Sequence, residues 1–157
     1  MYLEDYEIGA KAEIGSHLFT AEEIVRFAQE FDPQPFHLSE AAGLAGPFKG
    51  LAASGWQTCA VWMKLMVAYQ IRTAKERMAA GLSVGRSGPS PGFTDLRWRV
   101  PVMAGDTLTY FAEVLETRVS KSRPGWGVLT GLNTAVNQHG VEAFRFTSAV
   151  FFETRPV

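Results

Sequence analysis

One hundred and fifty-seven residues, 46% of them hydrophobic and 20% charged, suffice for one buried core and are too apolar for a disordered chain. Fifteen lysines and arginines against sixteen aspartates and glutamates leave a formal net charge of -1, with no basic excess for gripping a phosphate backbone, so nucleic acid is not an expected partner. A single domain over 1–157 is expected. Cys59 is the one cysteine and cannot close an internal disulfide, and Glu4, Asp5, Glu7 and Glu13 break up the stretch where a secretion signal would need an apolar run, so a reducing, cytoplasmic location is expected. The most apolar stretch, 51–69, carries Gln57 and Lys64, which argues against a membrane span.

Along the chain, Ala12, Ile14 and Leu18 suggest a short first strand. Thr20 followed by Glu23 reads as a capping box that starts a helix at Ala21, with Ile24, Val25, Phe27, Ala28 and Phe31 as its apolar face. Pro33 and Pro35 end that helix and predict an extended, stiff segment over 32–37. Ser39 caps a short helix expected to be ended by Gly43 and by the glycine and proline of Gly46-Pro47. The strongest helical pattern follows: Trp56, Ala60, Met63, Val67, Ile71, Ala74 and Met78 recur by threes and fours until Gly81, predicting a helix over 53–80, roughly 40 Å long and buried on several sides in its first half. Four glycines and two prolines make 81–92 a loop.

Beyond the loop the period changes to two. Leu96, Trp98 and Val100 alternate with Asp95, Arg97 and Arg99; further strands are expected over 108–117, 126–136 and 141–154, with turns at Ala104-Gly105-Asp106, Pro124-Gly125 and His139-Gly140. Consecutive strands with short turns predict an antiparallel meander, and only the long helix can cover its apolar face. The expected fold is α+β, a curved antiparallel sheet wrapped around one central helix.

The chain has no GxGxxG, GxxxxGK, HExxH or GxSxG motif and no paired cysteines, so no metal or nucleotide cofactor is expected. Cys59, amid apolar helix neighbours, reads as packing. What remains is Asp32-Pro33-Gln34-Pro35-Phe36-His37. A carboxylate and an imidazole five residues apart on a proline-stiffened backbone can hold one water between them, the arrangement needed to add water to an activated double bond or remove it. Spacing alone reads more readily as a helix-end turn residue and an edge histidine satisfied by backbone. Gly50-Leu51-Ala52-Ala53-Ser54-Gly55 leads into the long helix, whose free N–H groups can polarise a carbonyl; tight helix-to-sheet packing also accounts for these small residues.

Taken together, these segments resemble the MaoC-like dehydratases, or (R)-specific enoyl-CoA hydratases, of the hot dog fold. FAQEFDPQPFHLSEAA (27–42) is similar to the family's hydratase segment, Ser54-Gly55 falls where the family commonly has His-Gly, and PSPGFTDLRWRVPVMAGDTL (89–108) is similar to a family strand and turn. Phe31, Gln34 and Ser54 stand where the family often has glycine, asparagine and histidine. The resemblance implies Asp32 and His37 as the catalytic pair and the Gly55 amide as an oxyanion donor. It also implies an acyl-CoA thioester substrate with no further cofactor, and a homodimer or dimer of dimers whose sheets join edge to edge. The acyl chain would run beside the central helix, with Phe36, Ser54, Trp56 and the loop 83–92 around it and Arg86 near a CoA phosphate. A hot dog thioesterase and a non-catalytic acyl-thioester-binding or heterodimer subunit are the rival readings.

Overall fold

A computed structural model describes residues 1–156. A short 3-10 turn, Leu3–Asp5, precedes strand β1 (Lys11–Leu18) and helix α1 (Ala21–Phe31). Thr20 caps α1 as expected, its hydroxyl accepting the Glu23 N–H at 3.2 Å, but the Glu23 carboxylate turns to His17 Nε2 at 2.9 Å, so the reciprocal half of the box is missing. Ile24 and Ala28 are buried, whereas Phe31, expected on the apolar face, is 64% exposed and stacks on Phe27.

The segment after α1 departs from an extended strut. Asp32 is the last helical cap; Pro35 then opens a single turn, α2 (Pro35–Leu38), with Gln34 in extended conformation before it. Proline's fixed φ is already helical and its missing N–H costs nothing in a first turn, so Pro35 starts helix where it was expected to prevent it. Ser39 accepts the Ala42 N–H and caps α3 (Glu40–Ala45), which runs past Gly43 and ends at the expected Gly46-Pro47 stop, with Gly46 as its C-cap. Gly43 serves close approach: a Cβ there would lie 2.4 Å from the Gly50 carbonyl oxygen, and Gly50 N–H donates to the Gly43 carbonyl.

Helix α4 (Gly55–Ala79) lies across one antiparallel sheet made of β1, β2 (Gly92–Trp98), β3 (Thr107–Val119), β4 (Trp126–Asn137) and β5 (Glu142–Glu153), in the order β1-β3-β4-β5-β2. The meander is correct for β3, β4 and β5. It fails for β2, which pairs with β5 at the far edge instead of with β3. The strand expected through Val100 ends at Trp98; Arg99 N–H still donates to Ala143 O of β5 at 2.8 Å, and from Val102 on the bonds go elsewhere. Ala53 N–H donates to Val102 O at 2.7 Å, Ala104 N–H donates to Leu51 O at 2.9 Å, and Ala52 bridges Met103, so 102–104 runs alongside the 51–53 approach to α4.

The two sides of α4 are reversed relative to the strongest sequence pattern. Val61 and Trp62 are buried with Ile14, Leu108, Tyr110, Phe144 and Phe146, and Leu65, Met66 and Tyr69 pack against that core. Trp56, Met63, Val67, Ile71 and Met78 face outward, each 45% exposed or more. The first half of the helix is apolar all round, so periodicity alone could not tell the sheet side from the opposite one. No helix among the described residues is long and apolar enough to cross a membrane.

Candidate active site

Three backbone features converge at the first turn of α4. The end of α1 delivers Asp32, the turn α2 delivers His37, and the 52–54 segment delivers both a carbonyl and a hydroxyl. His37 is buried, and its Nδ1 lies 2.6 Å from Ala52 O. A carbonyl oxygen only accepts, so Nδ1 carries the proton there and the opposite nitrogen, Nε2, is left facing Asp32 Oδ2 at 3.4 Å. The T-shaped contact of Phe36 with the imidazole, centroids 4.5 Å apart, fixes the ring plane further.

Asp32 is held from two sides. Ser54 Oγ donates to its Oδ2 at 2.6 Å and Gln34 Nε2 donates to its Oδ1 at 2.9 Å. Partial burial pushes the Asp32 carboxyl upward, but the Ser54 and Gln34 hydrogen bonds and the nearby His37 outweigh it, so the carboxyl sits below the ordinary aspartate range. The group is therefore an anion at neutral pH, with lone pairs still free towards the pocket.

The helix start is built with equal care. Ser54 is 1% exposed, and the hydroxyl that donates to Asp32 also accepts the Trp56 N–H, so one side chain caps α4 and positions the carboxylate. The Gly55 carbonyl accepts from both Thr58 Oγ1 (2.6 Å) and the Trp98 indole (3.0 Å). Its N–H has no partner among the described residues. The Trp98 ring lies so close that a Cβ on Gly55 would be 2.4 Å from it.

Asp32, Gln34, Phe36, His37, Gly55, Trp56, Thr58 and Trp98 share a pocket of about 490 Å³, closed on one side by Val100 to Val102. Of the residues expected at the site, Asp32, His37, Phe36, Gly55 and Trp56 thus come together. Ser54 lies behind the carboxylate, outside the pocket lining. Arg86 is elsewhere: its guanidinium donates to Glu153 at 2.6 Å and lies over Trp126, while the loop around it packs on β5 through a Ser87–Phe152 bridge and lines no part of this pocket. Burial raises the Cys59 thiol to about 11, leaving it a poor nucleophile at neutral pH. Sequence reasoning missed Trp98, Thr58 and the Ala52 carbonyl. The Leu96-Trp98 alternation marked Trp98 only as a strand residue, and no local pattern marked the other two.

Fold and site together define a hot dog protein with a carboxylate–imidazole pair at the tip of its central helix. The chain belongs to the MaoC-like domain family, which it matches over residues 7–137. It is 34% identical to a MaoC-like dehydratase from Rhodospirillum rubrum, with a TM-score of 0.79 and 100% of this chain and 99% of the other covered. The R-hydratase PhaJ1 from Pseudomonas aeruginosa superposes with a TM-score of 0.64 at 25% identity, over 98% of this chain and 86% of the other. The uncharacterized protein YdeM of Bacillus subtilis (strain 168) is 31% identical over 144 residues, 92% of this chain and 93% of YdeM.

Proposed function

We propose that the protein is a hydratase and dehydratase of acyl thioesters, interconverting trans-2-enoyl-CoA and (R)-3-hydroxyacyl-CoA. The observation that carries this reading is the tautomer-fixed imidazole facing an anionic carboxylate beside an unpartnered helix-start amide. A water in that space donates one hydrogen towards Asp32 and the other towards His37 Nε2, turning its lone pair outward. In hydration Asp32 takes a proton, the water oxygen bonds to the β carbon, and the alkene electrons move through the α carbon onto the thioester oxygen, where the Gly55 N–H receives the charge. The enolate collapses as the α carbon takes a proton back from the pair, so the sum is addition of one water. Dehydration retraces the same path. An acyl group that closes the pocket strips water from Asp32 and raises its proton affinity, strengthening a base that is weak in the open site.

The reading includes a homodimer joined along the free edge of β2, with CoA as part of the substrate and no other cofactor, in a reducing compartment such as the cytoplasm. The outward apolar residues of β2 and α4, Phe93 and Met63 among them, favour such an assembly over an isolated protomer. The test is incubation of the purified protein with short trans-2-enoyl-CoAs, following alkene absorbance and free thiol together. Alkene loss without thiol is the expected result. Thiol release would make the protein a thioesterase, and neither change would leave it a binding or heterodimer subunit.

A further inference from the structure

A cavity of about 670 Å³ opens beside β2 and β5, and three arginines, Arg97, Arg99 and Arg145, stand in its walls. Two of its lining residues, Trp98 and Arg99, also line the candidate active site, so the two spaces adjoin. β2 is an edge strand, paired on one side only, and leaves that junction at the border of the sheet.

The arginines are brought together by a fault in the strand pairing. Thr94 lies opposite Thr147 and Arg97 opposite Arg145, so Asp95 and Leu96 together face Phe146 alone, a β-bulge. An unbroken ladder from Thr94 would set Leu96 opposite Arg145; the bulge puts Arg97 there. Asp95 takes a φ of 55° to make it, a left-handed conformation that a residue with a Cβ adopts at a cost. Leu96 packs on the core and the Trp98 ring lies against Gly55, so the alternate residues Arg97 and Arg99 fall on the other side of the strand.

The result is two like charges directly across a strand pair, which destabilises a sheet. Neutralisation from within the chain is incomplete. Arg99 and Arg145 lean on the same Glu142 oxygen, at 3.0 and 3.5 Å, and neither Arg97 nor Asp95 has an ion pair among the described residues. With Asp95 and Glu142 both counted, the three guanidiniums still leave a cationic excess.

We propose that Arg97, Arg99 and Arg145 form an oxyanion site that holds an anionic group of the substrate just outside the reaction pocket. The inference rests on the acyl-thioester reading of that pocket. A group extending from the pocket past Trp98 comes to the arginines, whose planar forks match the paired oxygens of a phosphate or a carboxylate equally well. Two parts of a thioester can supply such oxygens: a phosphate on the carrier, or a carboxylate on the acyl group.

The test compares the wild type with Arg97→Gln, Arg145→Gln and the double variant on three ligands. Butyryl-CoA carries phosphates only, glutaryl-N-acetylcysteamine a carboxylate only, and butyryl-N-acetylcysteamine neither. The double variant is expected to lose tenfold or more in affinity for one of the anionic ligands, as removal of charged hydrogen bonds does, and to bind the neutral one like the wild type. Loss on butyryl-CoA assigns the phosphate; loss on the glutaryl thioester assigns the acyl carboxylate. Because the substitutions relieve repulsion, the melting point without ligand holds or rises. Unchanged affinity for both anionic ligands, or equal loss of all three with a fall in melting point, would overturn the site. Weakened self-association with unchanged affinities would overturn it too, giving the arginines to a subunit seam. Binding is read without turnover, so arginine-dependent affinity in a protein that hydrates nothing breaks the hydratase reading and keeps the site. Hydration by a double variant that retains all three wild-type affinities does the reverse.

Discussion

The two ends of α4 face the same sheet but are finished differently. At the first turn nearly every polar atom is paired before any substrate arrives: Asp32 with Ser54 and Gln34, His37 with Ala52, the Gly55 carbonyl with Thr58 and Trp98. Further down the helix, small residues leave a hollow with one polar chain, Trp62-Asn133-Ser148, along its edge. The contrast is between a preset polar cluster and an unfilled gap along one helix. Proton transfer, the chemistry proposed for the first turn, needs donors and acceptors preset to fractions of an ångström, a precision that the gap further along does not show.

The largest expected effect falls on the paired end. Asp32→Asn and His37→Gln each lower kcat by about a hundredfold or more, the usual consequence of removing an acid–base group, with thermal melting close to wild type. Wild-type turnover in either folded variant would dissolve the distinction between the two ends.

Gly55→Ala comes next. Its Cβ would stand 2.4 Å from Trp98 Cε2, so the indole must leave the position from which it bonds the Gly55 carbonyl. We expect kcat to fall at least tenfold and tryptophan emission to shift, at a stability cost of about 1–3 kcal/mol for overpacking. An unchanged emission spectrum with full activity would mean that the close approach is incidental.

A subtler variant is Ser54→Ala, which removes a helix cap and a carboxylate hydrogen bond together. A loss of about 1–2 kcal/mol is expected from the cap alone. The pH dependence separates the two roles. The carboxyl of Asp32 is lowered in the folded protein, so its ionisation contributes stability that is complete above the unfolded aspartate value and is lost as pH falls through the folded one. Without the Ser54 hydroxyl the folded value rises, so that contribution shrinks at neutral and higher pH, and the difference from wild type fades as pH falls through the folded value. The acid limb of the kcat/KM profile moves to higher pH with it. A variant whose melting point drops equally at pH 4 and pH 8, with an unmoved acid limb, would reduce Ser54 to a cap.

The smallest effect concerns an exception at the paired end. Gln57 is buried between α1 and α4 with neither side-chain oxygen nor nitrogen hydrogen-bonded. Replacing it by leucine removes the stranded polar atoms and should raise stability by about 1 kcal/mol. Destabilisation instead would show that the amide finds a partner in the assembled protein.

How much of this was readable in the chain follows from the range of each interaction. Thr20 and Ser39 announced their helices because a cap bonds an amide three residues on. The Asp32–His37 pair was visible because both groups share one stiff turn. Ser54 meets Asp32 across 22 residues and Trp98 meets Gly55 across 43, and no local pattern encodes either contact. The place of β2 was hidden for the same reason: its partner strand β5 lies far downstream, and the Ala52–Met103 bridge that diverts the chain is formed by two irregular segments.

That bridge has a mechanical corollary. The strip from Arg99 to Val102 is at once the tail of an edge strand and a wall of the candidate pocket, and its next residue, Met103, bridges Ala52, whose carbonyl sets the imidazole's proton. Any chain that added itself along the open border of β2 would therefore pull on a cord whose other end is tied beside His37.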